Sequence, residues 1–326
     1  MRPKVFIAKK VPKEVEDYID QYCDYDTWNG SGLIPRNELL KVIGNSDGLL
    51  TNREYINQEL LDSAPRLRVV SNISVGYNNF DLGAMKSRGI IGTNTPTVLD
   101  DTVADLVLGL MIATARRIPE LDRFVKAGQW RGVVGEELFG TDVHHRTIGI
   151  IGMGRIGECI AERAKFGFKM RILYCNRTRK VDVENRMGVE HCSMEQLLQE
   201  SDFVVLMTPL TPKTVNIMSD REFNLMKRSA IFINASRGET VNENALIKAL
   251  AEGKISGAGL DVYSKEPIEP HNPLLGMQNV VTIPHIGSAT AQTRFDMAML
   301  AAENLVRALM GKEPPNLVPE LRESVK

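Results

Sequence analysis

Thr147-Ile148-Gly149-Ile150-Ile151-Gly152-Met153-Gly154-Arg155-Ile156-Gly157 is the stretch that decides the fold of this chain. Its first five residues are a short apolar run of the kind that forms a buried parallel strand. The next six are a G-x-G-x-x-G. Glu158 to Gly167 follows with apolar residues at Ile160, Ala161, Ala164 and Phe166, a spacing that predicts a helix ending at glycine. Met170 to Tyr174 is a second apolar strand. In this setting Gly152 permits a tight turn, Gly154 lets the backbone approach a pyrophosphate, and Gly157 lets helix and strand pack closely. The phosphates would lie at the positive helix N-terminus. The glycines alone would fit an ordinary βα turn; strand, turn, helix and strand in register point to a bound dinucleotide.

The end of the second strand tells which dinucleotide. A free ribose 2′-hydroxyl usually meets an Asp or Glu about 20 residues after the glycines, whereas a 2′-phosphate meets a basic residue. Here the segment reads Cys175-Asn176-Arg177-Thr178-Arg179-Lys180, with no acid before Asp182. A carboxylate would repel the phosphate, and a guanidinium pairs with it bidentately. NADP(H) is therefore expected, with Asn176, Arg177 and Thr178 around the phosphate, and use of NAD(H) stays open. Lys180 reads as part of a solvated charge run.

The 326 residues suffice for two domains of ordinary size, each with its own core. A net charge of −1 leaves no basic excess for a polyanion, so neither nucleic acid nor an anionic membrane is expected as partner. The cysteines Cys23, Cys159, Cys175 and Cys192 show neither C-x-x-C nor metal-ligand spacing, which fits a reducing cytoplasm and no metal site. The N-terminus enters a strand at Lys4 without a signal-peptide core, and the Val103 to Ala115 helix, which contains Asp105, is too short to span a bilayer.

Along the chain, Lys4 to Ala8, Gly48 to Thr51 and Leu67 to Ile73 are predicted strands. Helices are predicted over Lys13 to Tyr22 and near Asn57 to Ser63. Such alternation predicts a parallel sheet with helices on both faces. Ser74-Val75-Gly76-Tyr77-Asn78-Asn79 follows a strand end and fits an anion-binding turn or a plain β-turn. Asp100 or Asp101 is expected to cap a long helix after the Pro96 break. Gly128 to His145, with Trp130 and Phe139, is irregular and reads as an interface arm or a loop with a local cluster. Further strands are expected at Phe203 to Met207, Ala230 to Asn234, Gly257 to Tyr263 and Asn279 to Ile283, then a last helix over Ala289 to Met310.

Each strand delivers polar residues at its C-terminal end, the ligand edge of such a sheet. Arg237 follows a buried strand, where a guanidinium could grip a substrate carboxylate. His285 follows the last strand, and imidazole gives and takes a proton near neutrality, as reversible carbonyl reduction demands. Glu266 could fix the ring and favour its protonated form. An ion pair at Arg237 and a capped turn at His285 would explain the same spacing. His144, His145, His191 and His271 lack this setting and read as structural or exposed.

Several motifs in order carry a resemblance: Ser74 to Tyr77, Asp100 to Arg117 with Ala113-Thr114-Ala115-Arg116-Arg117, Gly152 to Gly157, Asn234 to Gly238, Gly257 to Pro267, and Pro284 to Ser288. Nearly end to end the chain resembles the D-isomer-specific 2-hydroxyacid dehydrogenases, in the glyoxylate/hydroxypyruvate/2-ketogluconate reductase branch. The resemblance implies two Rossmann-like, doubly wound parallel-sheet domains of α/β class separated by a cleft. Residues 1–99 and 288–326 would form a discontinuous substrate domain, and 100–287 the NAD(P)-binding domain. The family's catalytic Arg, Glu and His fall on Arg237, Glu266 and His285, and its substrate-carboxylate loop on Val75 and Gly76. Thr102, Arg155, Ile156, Thr208, Pro209, Ala235, Ser236 and Gly287 join the glycines at cofactor positions, with Asp261 at the nicotinamide. The missing acid at Cys175 to Arg177 agrees with the NADPH-preferring reductases. A small 2-oxo or 2-hydroxy acid as substrate and a homodimer are likewise implied. Relatives of this fold also serve as dinucleotide-sensing corepressors; the short polar tail Glu320 to Lys326 speaks against an appended regulatory region.

Overall fold

The computed structural model describes residues 2–324, so Met1, Val325 and Lys326, which the expected domain ranges and tail include, lie outside the described residues. The chain divides into two compact units, Met1–Leu99 with Ala289–Lys326, and Asp100–Ser288. Ser288, expected in the first unit, thus groups with the second.

The first unit holds five parallel strands: β1 (Lys4–Ile7), β2 (Asp24–Thr27), β3 (Gly48–Thr51), β4 (Val69–Asn72) and β5 (Ile91–Thr93). Their order, β2-β1-β3-β4-β5, is that of a doubly wound sheet. β2 has no counterpart in the sequence reading, because Asp24-Tyr25-Asp26-Thr27 is an edge strand with no buried residue and carries no apolar signal. β3 and β4, covered on both faces, are buried at every position. The Ala291–Leu309 helix packs along them with Leu305 and Leu309 against Gly48, and Ala301 accepts a hydrogen bond from the buried Ser71 hydroxyl at 2.7 Å.

The second unit holds seven parallel strands: β6 (Thr147–Ile151), β7 (Arg171–Cys175), β8 (Glu190–His191), β9 (Phe203–Leu206), β10 (Ile231–Asn234), β11 (Gly257–Leu260) and β12 (Val280–Thr282). In the order β12-β11-β10-β9-β6-β7-β8 the chain winds outward from β6 one way and from β9 the other, so the topological switch lies between β6 and β9. Its core includes Leu206, Phe223, Phe232, Leu246 and Leu260. Phe223 and Phe232 meet edge to face at 5.4 Å, and full burial of side chains of this kind contributes about 1.5–3 kcal/mol each.

Two helix boundaries differ from expectation. The helix after the glycine turn runs Arg155–Phe168 and ends beyond Gly167, at Lys169, which takes the left-handed conformation (φ 55°). Asp100 and Asp101 stand inside the first turn of the Asp100–Ala115 helix and do not cap it; the Asp100 carboxylate is turned onto Arg155 instead. Among the described residues no helix is long and apolar enough to cross a membrane, and no group of three or more His, Cys, Asp or Glu is placed to hold a metal.

Candidate active site

Because every strand of the second unit is parallel, the residues following β6, β7, β9, β10, β11 and β12 share one sheet edge. At the switch, Gly152 has φ 106°, and a Cβ there would stand 2.7 Å from the Met207 carbonyl oxygen, so only glycine fits. A Cβ on Gly157 would stand 2.5 Å from the Gly152 carbonyl, which is the close helix-strand approach the motif requires, whereas Gly154 faces open space. The Arg155–Phe168 helix begins there without a side-chain cap, so its first N–H groups point out of the turn. Arg155 Nε meets Asp100 Oδ2 at 3.1 Å, and burial pushes the Asp100 carboxyl up despite that pair.

After β7, Asn176 is tied to the glycine turn: its Oδ1 accepts from Met153 N–H at 2.8 Å and its Nδ2 donates to Met153 O at 3.2 Å. Arg177 and Thr178 are exposed. Arg179 pairs with Glu184 at 2.6 Å and Lys180 with Glu158 at 3.6 Å, so neither is a free charge. After β9, the Thr208 hydroxyl is buried without a hydrogen-bond partner among the described residues, and the exposed Pro209 accepts from Thr214. A glycine face open to solvent, an orphaned hydroxyl at the switch and the unacidic loop after β7 together fit a phosphorylated dinucleotide. Ile156 and Thr102, half-buried in the first turns of their helices, belong to the same unit.

After β10, Asn234 Oδ1 accepts from the N–H and hydroxyl of Ser236 at 3.0 and 2.8 Å, and its Nδ2 donates to Arg237 O. This folds Ala235-Ser236-Arg237 into a tight corner, from which the half-buried Arg237 donates to Ser236 O at 2.7 Å. After β12, His285 Nδ1 lies 2.7 Å from Glu266 Oε2, with the two side chains 31% and 23% exposed. His285 has φ 51°, an uncommon backbone state for a residue other than glycine. Asp261, only 1% exposed at the end of β11, holds that turn by accepting from Ile286 N–H at 2.6 Å and Gly287 N–H at 2.9 Å. Burial pushes its carboxyl up. Both Asp261 oxygens thus accept from backbone N–H groups of the turn that carries His285.

In the first unit, Val75 and Gly76 follow β4. The buried Asn94 donates to Val75 O and the buried Asn72 to Gly76 O, each at 2.8 Å. With the carbonyls tethered, the two N–H groups donate to nothing among the described residues. The sequence reading assigned no role to Asn72 and Asn94 and used Asn234 only as the start of a motif; the available signal was an asparagine at or just past a strand end, where a short amide can fold back on its own loop. The other histidines stand apart. His144 and His145 meet each other at the surface, His191 ends β8 against Tyr174 two residues before the Ser193 cap of the next helix, and His271 is exposed.

Fold and site define a dinucleotide-dependent oxidoreductase of the two-unit, parallel-sheet kind. The family model for the NAD-binding domain of D-isomer specific 2-hydroxyacid dehydrogenases matches residues 108–287. A glyoxylate/hydroxypyruvate reductase B of Yersinia pestis (strain Pestoides F) is 46% identical over 320 residues, 98% of each chain. A crystal structure of a Thermus thermophilus protein superposes with a TM-score of 0.90 at 40% identity, covering 97% of this chain and 99% of that one. The NADPH-dependent glyoxylate/hydroxypyruvate reductase of Sinorhizobium meliloti, in complex with NADP and malonate, gives 0.86 at 30% identity, covering 98% of each. The chain belongs to the D-isomer-specific 2-hydroxyacid dehydrogenase family.

Proposed function

We propose that the protein reduces a small 2-oxo acid, namely glyoxylate, hydroxypyruvate or 2-ketogluconate, to the D-2-hydroxy acid with NADPH. The observation that carries this reading is the His285–Glu266 pair at 2.7 Å, set on the same strand edge as the glycine turn. The Yersinia and Sinorhizobium reductases, whose names give glyoxylate and hydroxypyruvate, support the substrate class. The acid-free loop after β7, and NADP in the Sinorhizobium complex, support the cofactor.

Bound NADPH supplies the hydride that reduces C2 of the oxo acid. His285 gives a proton to the oxygen that becomes the hydroxyl, and takes it back in the reverse direction. Glu266 accepts the hydrogen bond from Nδ1–H, which fixes the ring and leaves Nε2 to give the proton as imidazolium and take it as neutral imidazole. Arg237 binds the substrate carboxylate through its planar fork. In the first unit, the N–H pair of Val75 and Gly76 suits a carboxylate as well.

A homodimer is part of the proposal, supported by Trp130, Val133, Val134 and Phe139, all exposed in the irregular 128–145 segment. A cytoplasmic setting is supported by four free cysteines. The test is NADPH oxidation with glyoxylate, hydroxypyruvate, 2-ketogluconate and pyruvate, repeated with NADH. One of the first three should turn over strongly with NADPH, and His285→Ala should lower kcat by about 10²–10⁴. Inertness toward all four with either cofactor, while NADPH still binds, would replace this reading by a sensing role.

A further inference from the structure

Four cations surround the loop after β7, and three of them are already paired. Arg179 is bound to Glu184, while Lys180 and Arg186 both face Glu158, at 3.6 and 3.1 Å. Arg177 alone makes no ion pair or side-chain hydrogen bond among the described residues. The pairing of Arg179 is built in depth. Tyr174, fully buried in β7, donates its hydroxyl to Glu184 Oε1 at 2.6 Å and accepts the Lys180 N–H at 2.7 Å. Glu184 in turn takes Arg179 Nε at 2.8 and 3.0 Å and Nη2 at 2.6 Å. Arg179 first, and Tyr174 second, hold the Glu184 carboxyl down at about 2, so it stays ionised throughout the neutral range.

The loop is consequently fixed at both ends. Asn176 ties its start to Met153 in the glycine turn, and Tyr174 ties Lys180 at its end. Beside it lies a cavity of about 370 Å³ lined by the charged Glu158, Lys180, Asp182 and Arg186 together with Val181 and Val183. The hydrogen bonds at its two ends fix the loop over this open space. Fixing a binding loop in its bound shape removes the entropy cost of ordering it when the ligand arrives.

We propose that the Tyr174–Glu184–Arg179 clamp sets the preference for a 2′-phosphorylated dinucleotide, by holding Arg179 aside and presenting Arg177 and Thr178 to the phosphate. The inference rests on the NADPH reading above. Tyr174 and Glu184 act as positioning residues. They touch neither substrate nor cofactor, so their loss should move discrimination between the two cofactors and leave the chemical step alone.

The experiment compares kcat/KM for NADPH and for NADH in the wild type, Tyr174→Phe and Glu184→Gln. Tyr174→Phe removes the hydroxyl from the clamp and Glu184→Gln replaces one charged acceptor oxygen by an NH₂ donor; in each the NADPH/NADH ratio should fall by about tenfold while NADH kinetics stay near those of the wild type. A ratio unchanged in both variants overturns the clamp, as does an equal loss with both cofactors, which would mean general damage. A ratio that rises in Glu184→Gln overturns it too, because a released Arg179 would then be the better phosphate ligand. Should Tyr174→Phe fail to fold, Glu184→Gln carries the test, since its site lies on a surface helix. A wild type indifferent to the 2′-phosphate would instead remove the NADPH reading itself, a result visible without any variant.

Discussion

Replacing Asp261 by asparagine probes the turn that carries His285. The carboxylate is 1% exposed and takes two backbone N–H groups, at 2.6 and 2.9 Å, while His285 next to them sits at φ 51°. A left-handed backbone state costs a residue other than glycine about 1–3 kcal/mol and persists only where its surroundings enforce it. Hydrogen bonds to a charged acceptor contribute about 1.5–3 kcal/mol each. Asparagine keeps the shape and one oxygen, but its NH₂ would face the second N–H, leaving a buried donor unpaired. Relief from burying a charge, which now pushes the Asp261 carboxyl up, offsets part of the loss. A net deficit of about 2 kcal/mol is comparable to the strain at His285, so the turn relaxes and the imidazole moves from Glu266. At 1.4 kcal/mol per decade, kcat should fall about 30-fold. Steady-state turnover at saturating NADPH reads this directly, with the KM for NADPH reported alongside. An Asp261→Asn protein with wild-type kcat would show that the two backbone bonds do not hold the catalytic turn.

Two further outcomes are expected. Gly152→Ala forces a side chain into φ 106° and against the Met207 carbonyl, costing about 1–3 kcal/mol and displacing the turn; dinucleotide affinity by equilibrium titration should collapse, and retained affinity would contradict the packing described. Asp202 bonds Lys227 at 2.8 Å and the N–H of Thr147, the first residue of β6, at 2.9 Å. Burial alone would raise its carboxyl, but Lys227 and that N–H more than offset it and hold the group below its usual range. A depressed carboxyl stabilises the fold above its unfolded pKa of about 3.9 and ceases to do so as pH falls through its folded value. Asp202→Asn should therefore lower stability at neutral pH and flatten the acid limb of a denaturation series, and an unchanged acid limb would refute the linkage.

Much of the site was legible because its parts are local. The glycine spacing, the apolar runs before each polar strand end, and the run from Cys175 to Lys180 without an acid each lie within a few consecutive residues. Edge strand β2 escaped because Asp24-Tyr25-Asp26-Thr27 has no buried face to write into the sequence. The end of the Arg155–Phe168 helix was misread because glycine is the usual left-handed terminator, yet here Lys169 takes that role and Gly167 stays helical.

By itself the sequence determined the strand-turn-helix unit at Thr147 to Gly157, the alternation that makes two parallel sheets, and the identity of Arg237, Glu266 and His285 as strand-end residues. Backbone propensity and side-chain periodicity act over a few residues, so a single stretch suffices to express them. Only the tertiary structure decided that Glu266 meets His285 across 19 positions, that Asp261 holds Ile286 and Gly287, and that Glu184 joins Tyr174 to Arg179. Those contacts depend on which strands lie side by side and on how each turn leaves the sheet, and no spacing along the chain encodes either one.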